Sequence, residues 1–183
     1  MNVANLFATP IALFDGVSPT PDLIATLAEQ ALANVDDLPD WDCNIQTTFA
    51  IDNTFHTKSQ LAQFTPDIEL FASDYSKYLW GRSAKIRHCW VNKADSHQYQ
   101  EYHNHLGKNI DFCGVYYPQI QDKETIIFHS PFQNISSINQ NSIVQIGLKQ
   151  NRLILFPSYL AHSFKAKQRE IAKISVAFNF QLV

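Results

Sequence analysis

A chain of 183 residues, 45% hydrophobic and only 17% charged, has the length of one domain and the composition of a folded one, not of a disordered segment. A net charge of −3 with no basic cluster argues against a nucleic-acid surface, and no apolar run is long enough to span a bilayer. Five scattered glycines leave no phosphate-cradling loop, which sets aside the common nucleotide-binding folds.

Met1 to Asp15 has no basic segment and does not read as a secretion signal. Three widely spaced cysteines, Cys43, Cys89 and Cys113, with no Cys-x-x-Cys, fit reduced thiols in a cytoplasm. Thr20-Pro21-Asp22 supplies an N-cap, a proline at the first helical position and an acid in the first turn. Leu23, Ile24, Leu27, Ala28, Ala31 and Leu32 then repeat with helical spacing to about Asn34. Asp36 to Asp42 is polar and breaks the pattern. Thr65-Pro66-Asp67 starts a second helix, in which Phe64, Ile68, Phe71, Tyr75 and Tyr78 form one stripe expected to pack into a core.

After Gly81 short β-branched and aromatic runs alternate with polar turns, which predicts strands near 85–92, 97–105, 112–118, 124–129, 142–147, 152–157 and 171–181. No helical pattern separates them, so the sheet is expected to be antiparallel, a sandwich or barrel. The expectation is one domain over 1–183, with a helical part over 1–80 packed on a β core over 81–183.

Chemistry concentrates in the histidines. His97, Tyr99, Glu101, His103 and His105 share one parity of the predicted strand over 97–105, a face that is either solvated or lines a site. Two imidazoles two residues apart stand about 6–7 Å apart at Cβ, close enough to converge on one metal ion. His162, after the apolar run Leu153 to Phe156, could add a third from a distant strand and complete a facial site with open positions. Nitrogens bound to one ion should then lie roughly 3–4 Å apart. His56, His88 and His129 have no such partners and read as structural or surface residues. In the last strand Ile171, Lys173, Ser175, Ala177 and Asn179 share the parity expected to face the barrel interior, while Ala172, Ile174, Val176, Phe178 and Phe180 should pack on the helices. An inward lysine needs an anion, unless it snorkels to solvent.

Trp90-Val91-Asn92, His103-Asn104-His105, Cys113-Gly114-Val115-Tyr116-Tyr117, Leu155-Phe156-Pro157-Ser158 with His162, and Ile174-Ser175-Val176-Ala177-Phe178-Asn179 follow one another with a familiar order and spacing. Together with Leu6 to Ile11, they make the chain resemble the Fe(II)- and 2-oxoglutarate-dependent oxygenases, within them a small group known mainly as hypothetical proteins. The resemblance implies a mainly β fold, a double-stranded β-helix or jelly roll related to cupins, with N-terminal helices. It also implies Fe(II) as cofactor and 2-oxoglutarate as cosubstrate. His103, His105 and His162 would be the metal ligands. The family pattern has a carboxylate where this chain has His105, so Glu101 and Asp111 stand as alternative ligands. Tyr117, Lys173, Ser175 and Asn179 would contact 2-oxoglutarate, Lys173-Ile174-Ser175 replacing the family's Arg-x-Ser.

Arg169 is the competing anion partner, set aside because Lys165 to Glu170 reads as an exposed charged turn. The loop from Gly107 to Phe112 is expected at the substrate mouth. A cupin-like metal protein that does not use 2-oxoglutarate and a metal-free jelly-roll binding module are the rival readings. The prime substrate, a small molecule or a protein side chain, and the oligomeric state are not legible. No membrane partner is expected, and the acidic balance speaks against a nucleobase.

Overall fold

The structure is a computed structural model that describes residues 8–33, 35, 43–131 and 143–183. The start of the resembling Leu6 to Ile11 stretch, the polar break from Asp36 to Asp42 and the expected first residue of the strand over 142–147 lie outside the described residues.

Helix α1, Pro21–Leu32, begins where the proline and Asp22 predict and buries Ile24, Ala25, Leu27, Ala28 and Leu32, while Leu23 stays exposed. Helix α2, Phe64–Trp80, ends at Gly81, whose left-handed φ of +67° turns the chain while its N–H bonds the Lys77 carbonyl. The buried arc of α2 includes Phe64, Ile68 and Tyr75 as expected but is rotated toward Ala72 and Ser76. Small side chains there let the helix lie close to the sheet, so Tyr78, at the stripe's other edge, is exposed. Two single 3-10 turns, Phe55–Thr57 and Ser59–Leu61, lead into α2.

Ten strands follow the chain: β1 Ala12–Asp15, β2 Gln46–Thr47, β3 Ala84–Ala94, β4 Gln100–His103, β5 Phe112–Gln119, β6 Thr125–His129, β7 Ile143–Gly147, β8 Arg152–Pro157, β9 His162–Phe164 and β10 Lys173–Leu182. They form a six-stranded sheet, β1-β8-β5-β10-β3-β2, and a four-stranded sheet, β4-β9-β6-β7, all paired antiparallel. This is the two-sheet antiparallel architecture expected. The sequence reading misses β1, β2 and β9, strands of four, two and three residues, too short to show a period. It also starts β4 too early. His97 sits in a turn at φ +62°, its N–H on the Lys167 carbonyl, and extended pairing begins only at Gln100.

The large sheet is buried on both faces. On β5, Phe112 and Tyr116 face α1 and α2, while Cys113, Val115 and Tyr117 face the small sheet. β8 divides Leu153 and Leu155 from Ile154 and Phe156 in the same way. Ile174, Val176, Phe178 and Phe180 of β10 join the helical core, as their parity predicts, which turns Lys173, Ser175 and Ala177 toward the space between the sheets. The strand begins only at Lys173, and Ile171 is exposed. At Gly114 a Cβ would stand 2.5 Å from Leu155 Cδ2 and 3.1 Å from the Ile154 carbonyl, so only glycine lets β5 and β8 close up there.

Candidate metal centre

His103 and His162 are paired residues of adjacent antiparallel strands, β4 and β9, so the pleat sends both imidazoles to one face of the small sheet. His105 lies just past the end of β4. Its N–H bonds the Ser158 carbonyl, which holds the chain close to the β8–β9 turn and brings the third ring back to the other two. The ring centroids stand 4.3 Å (His103–His162), 5.1 Å (His105–His162) and 5.3 Å (His103–His105) apart. Among the described residues these three are the group able to hold a metal ion, with ligand atoms all within 4.8 Å of one another. That is wider than the spacing of roughly 3–4 Å on a bound ion.

Each imidazole is tied back through Nδ1. His103 Nδ1 donates to the Glu101 carbonyl at 2.9 Å and His162 Nδ1 to the Leu160 carbonyl at 3.4 Å. A carbonyl can only accept, so both rings carry their proton on Nδ1 and keep the Nε2 lone pair free. His105 Nδ1 lies 2.8 Å from Asn179 Oδ1, and its buried Nε2 has no partner. Burial lowers the pKa of all three, His105 to about 4 with His103 adding to the effect. Three neutral imidazoles with free lone pairs converging on one point are a fitting donor set for a first-row divalent metal.

The carboxylate alternatives stand elsewhere. A register irregularity in β4 between Gln100 and His103 turns Glu101 toward Cys43, whose thiol burial and the Glu101 carboxylate push up to about 12. Asp111, just before β5, turns its carboxylate to the end of β10 and accepts the Leu182 N–H at 2.8 Å. Neither joins the cluster.

The histidines open onto a cavity of about 30 Å³ between the sheets, whose lining includes Trp90, Asn92, Tyr117, Phe164, Lys173 and Ser175. Trp90 stacks on His105, ring centroids 5.5 Å apart, and Phe49 meets Trp90 edge-on. At the end away from His105, Lys173 is buried at 3% exposure. Its Nζ sits 3.0 Å from the centre of the Phe164 ring, and among the described residues no hydrogen bond or carboxylate meets it. Burial pushes its pKa far down, against a partial pull from Glu124.

Of the residues expected near 2-oxoglutarate, Lys173, Ser175 and Tyr117 line this cavity. Asn179 does not: it sits behind His105, because β10 carries it one step past Ala177, beyond the ring. Arg169 is not in the expected exposed turn. It is 7% exposed, with Nε 2.8 Å from Glu124 Oε1 and Nη1 on the Asp95 and Gln98 carbonyls, so it is a fully engaged scaffold cation. Trp90, Asn92 and Phe164 were not singled out for the site from sequence. The alternation along β3 carries the signal for the first two, and the position two residues after His162 the signal for the third.

Residues 88–179, half of the chain, match the model of a family described as "Putative 2OG-Fe(II) oxygenase". No curated protein matches. Among solved structures, a prolyl-4-hydroxylase of Pseudomonas putida superposes with a TM-score of 0.67 at 13% identity, covering 94% of this chain and 92% of that one. HygX of Streptomyces hygroscopicus, with nickel and 2-oxoglutarate bound, gives 0.66 at 10% identity over 94% and 83%. A prolyl hydroxylase of Trichoplax adhaerens, in complex with a hypoxia-inducible-factor peptide fragment, gives 0.67 at 11% identity over 93% and 83%. At such identities these likenesses establish the fold, a double-stranded β-helix.

Proposed function

The chain belongs to the 2OG-Fe(II) oxygenase family, and from that premise we propose that His103, His105 and His162 hold its Fe(II) and that Lys173 receives the distal carboxylate of 2-oxoglutarate. One observation carries the assignment: a single cavity has three converging imidazoles at one end and, at the other, a buried lysine amine that no carboxylate among the described residues meets. When bound, Fe(II) with 2-oxoglutarate and dioxygen would supply the oxidation: the cosubstrate loses CO2 and gains one oxygen atom to become succinate, and the other oxygen atom hydroxylates the prime substrate.

The chain's own part is binding, orientation and exclusion of water. The Nδ1 bonds of His103 and His162 keep their Nε2 lone pairs aimed at one point. Lys173 swings off Phe164 to meet the incoming carboxylate, which also enlarges a cavity too small for the cosubstrate. Ser175 and Tyr117 stand along the same wall as further hydroxyl donors. Trp90, Val115, Ile126 and Phe164 keep the site poor in water, which strengthens every polar contact inside it.

The prime substrate enters on the His105 side, past Leu106 and the exposed loop that runs to Asp111. We read it as a small molecule or a protein side chain. The three buried, free cysteines fit a reducing compartment, which supports a cytoplasmic enzyme.

The test is anaerobic titration of 2-oxoglutarate into metal-loaded protein, followed by succinate formation across substrate pools. Saturable binding that requires the metal and is lost in Lys173→Met supports the assignment. Unchanged binding in Lys173→Met overturns it, and a metal-loaded protein that ignores 2-oxoglutarate returns the cupin-like reading.

A further inference from the structure

We propose that Asn179 and His88 are positioning residues that select the proton position of His105, a role that rests on His105 being a metal ligand. From sequence alone His88 reads as a structural or surface residue. In the sheet, β10 and β3 pair Asn179 directly with His88, and the register then skips Arg87 to pair Phe180 with Ile86. Such a bulge re-aims the side chains beside it. Here it leaves the Asn179 amide between two imidazoles, Oδ1 at 2.8 Å from His105 Nδ1 and Nδ2 at 3.5 Å from His88 Nδ1.

An amide has one accepting and one donating end, so the three groups have two self-consistent arrangements. In the first, His105 Nδ1–H donates to Oδ1, and Nδ2–H donates to the bare Nδ1 of a neutral His88 that carries its proton on Nε2. His105 Nε2 is then a free lone pair, pointing to the metal position. In the second, the amide is reversed. His88 Nδ1–H donates to the oxygen, the amide donates to His105 Nδ1, and the His105 proton moves to Nε2 and blocks the ligand atom. His103 and His162 lack this ambiguity, because each is tied to a carbonyl. His105 alone depends on an amide that can turn over, and His88 decides which way it lies.

The amide lies as the first arrangement requires, Oδ1 toward His105 Nδ1 and Nδ2 toward His88 Nδ1, and the surroundings keep His88 neutral, as that arrangement needs. Burial lowers the His88 pKa, and Arg87 on its own strand acts the same way. His56, on the 3-10 turn that packs beside β3, also faces His88, and burial lowers its pKa against the opposing pull of Glu69 and Asp52. A neutral His88 protonated on Nε2 leaves its Nδ1 bare to accept from the amide, and that acceptor is what keeps Oδ1 turned toward His105.

The test reads metal affinity and tautomer, not turnover. Co(II) is titrated into full-length protein by visible absorption, and ring nitrogen shifts are recorded by NMR on Zn(II)-loaded protein. Asn179→Leu should weaken Co(II) binding roughly 10- to 100-fold, the range for groups that orient a metal-bound histidine. His88→Phe should weaken it roughly fivefold, the scale of one ordinary hydrogen bond. Asn179→Asp can only accept, so it should hold His105 in the ligating form, retain affinity and abolish the effect of adding His88→Phe. The spectra should show His88 protonated on Nε2.

Equal affinity with and without His88→Phe in the wild-type background, or a His88 proton on Nδ1, overturns the inference. Full Co(II) affinity in His105→Ala overturns the ligand assignment instead. Loss there combined with indifference to His88→Phe removes only the inference. The Asn179→Asp and His88→Phe pair decides the matter even where Asn179→Leu does not fold.

Discussion

Two buried cations four residues apart have opposite surroundings. Arg169 has a carboxylate on one side, Glu124 at 2.8 Å, and two backbone carbonyls on the other. Lys173 has an aromatic face and, among the described residues, no anion. Both lie against Phe164, the guanidinium carbon 5.6 Å and the ammonium 3.0 Å from the ring centre. A buried charge is costly unless it is met. The met one belongs to the scaffold, tying the 165–170 turn to the start of β6, while the unmet one, its pKa pushed far down by burial, is the side chain left over for the proposed cosubstrate contact.

The comparison breaks first at Arg169. Arg169→Met leaves Glu124, 2% exposed, buried without a partner, and should lower unfolding free energy by about 3–5 kcal/mol in urea titrations. Adding Glu124→Leu should restore most of that loss, because an apolar pair of similar volume replaces a buried ion pair with little net change. If the double variant stays as weak as the single one, the two side chains are not each other's main partner.

Lys173→Met should invert the pattern. Ligand-free stability should hold or rise, since no pair is broken, while 2-oxoglutarate binding, measured anaerobically by calorimetry, should weaken by about 2–5 kcal/mol. A large drop in ligand-free stability would place Lys173 with the scaffold and erase the contrast.

The imidazole end adds buried groups that remain neutral. Metal-free protein should lose stability as pH falls from 6.5, the ordinary histidine value, toward about 4, where His105 titrates in the fold. Across that window the unfolded chain binds more protons than the folded one, so acid favours unfolding. Zn(II) should shift the loss to lower pH, because the metal competes with protons for the same lone pairs. Denaturant midpoints taken at half-unit pH steps, with and without Zn(II), measure the displacement. The smallest effect should come from Tyr117→Phe, which removes one neutral donor from the Lys173 wall and should weaken 2-oxoglutarate by about 0.5–1.5 kcal/mol in the same calorimetric assay. A loss as large as that of Lys173→Met would mean the phenol, not the ammonium, dominates the anion site.

Much of this was legible before any coordinates. Proline and acid at the helix starts mark α1 and α2, and the parity of β10 separates its helix-facing from its pocket-facing residues, because a strand buried on both faces still alternates. The histidine set was legible as spacing, although His105 reaches the others by leaving β4 instead of continuing it. Arg169 was not legible. Its run of charges describes its neighbours correctly, and only a carboxylate 45 positions earlier in the chain makes its burial tolerable. Asn179 was placed on the right face and given the wrong neighbour, since parity fixes direction but not height along a strand.

β10 has a consequence for the order in which the molecule assembles. It lies between β3 and β5, although both precede it by more than fifty residues. Until β10 arrives, those two strands each expose an unpaired edge, and the inner wall of the pocket does not exist. Pairing of this range closes slowly and leaves sticky edges open while it waits. The helices can collapse early, but the histidine-lined pocket is a late event, so a chain arrested before β10 docks should bind no metal tightly and should be the species that aggregates.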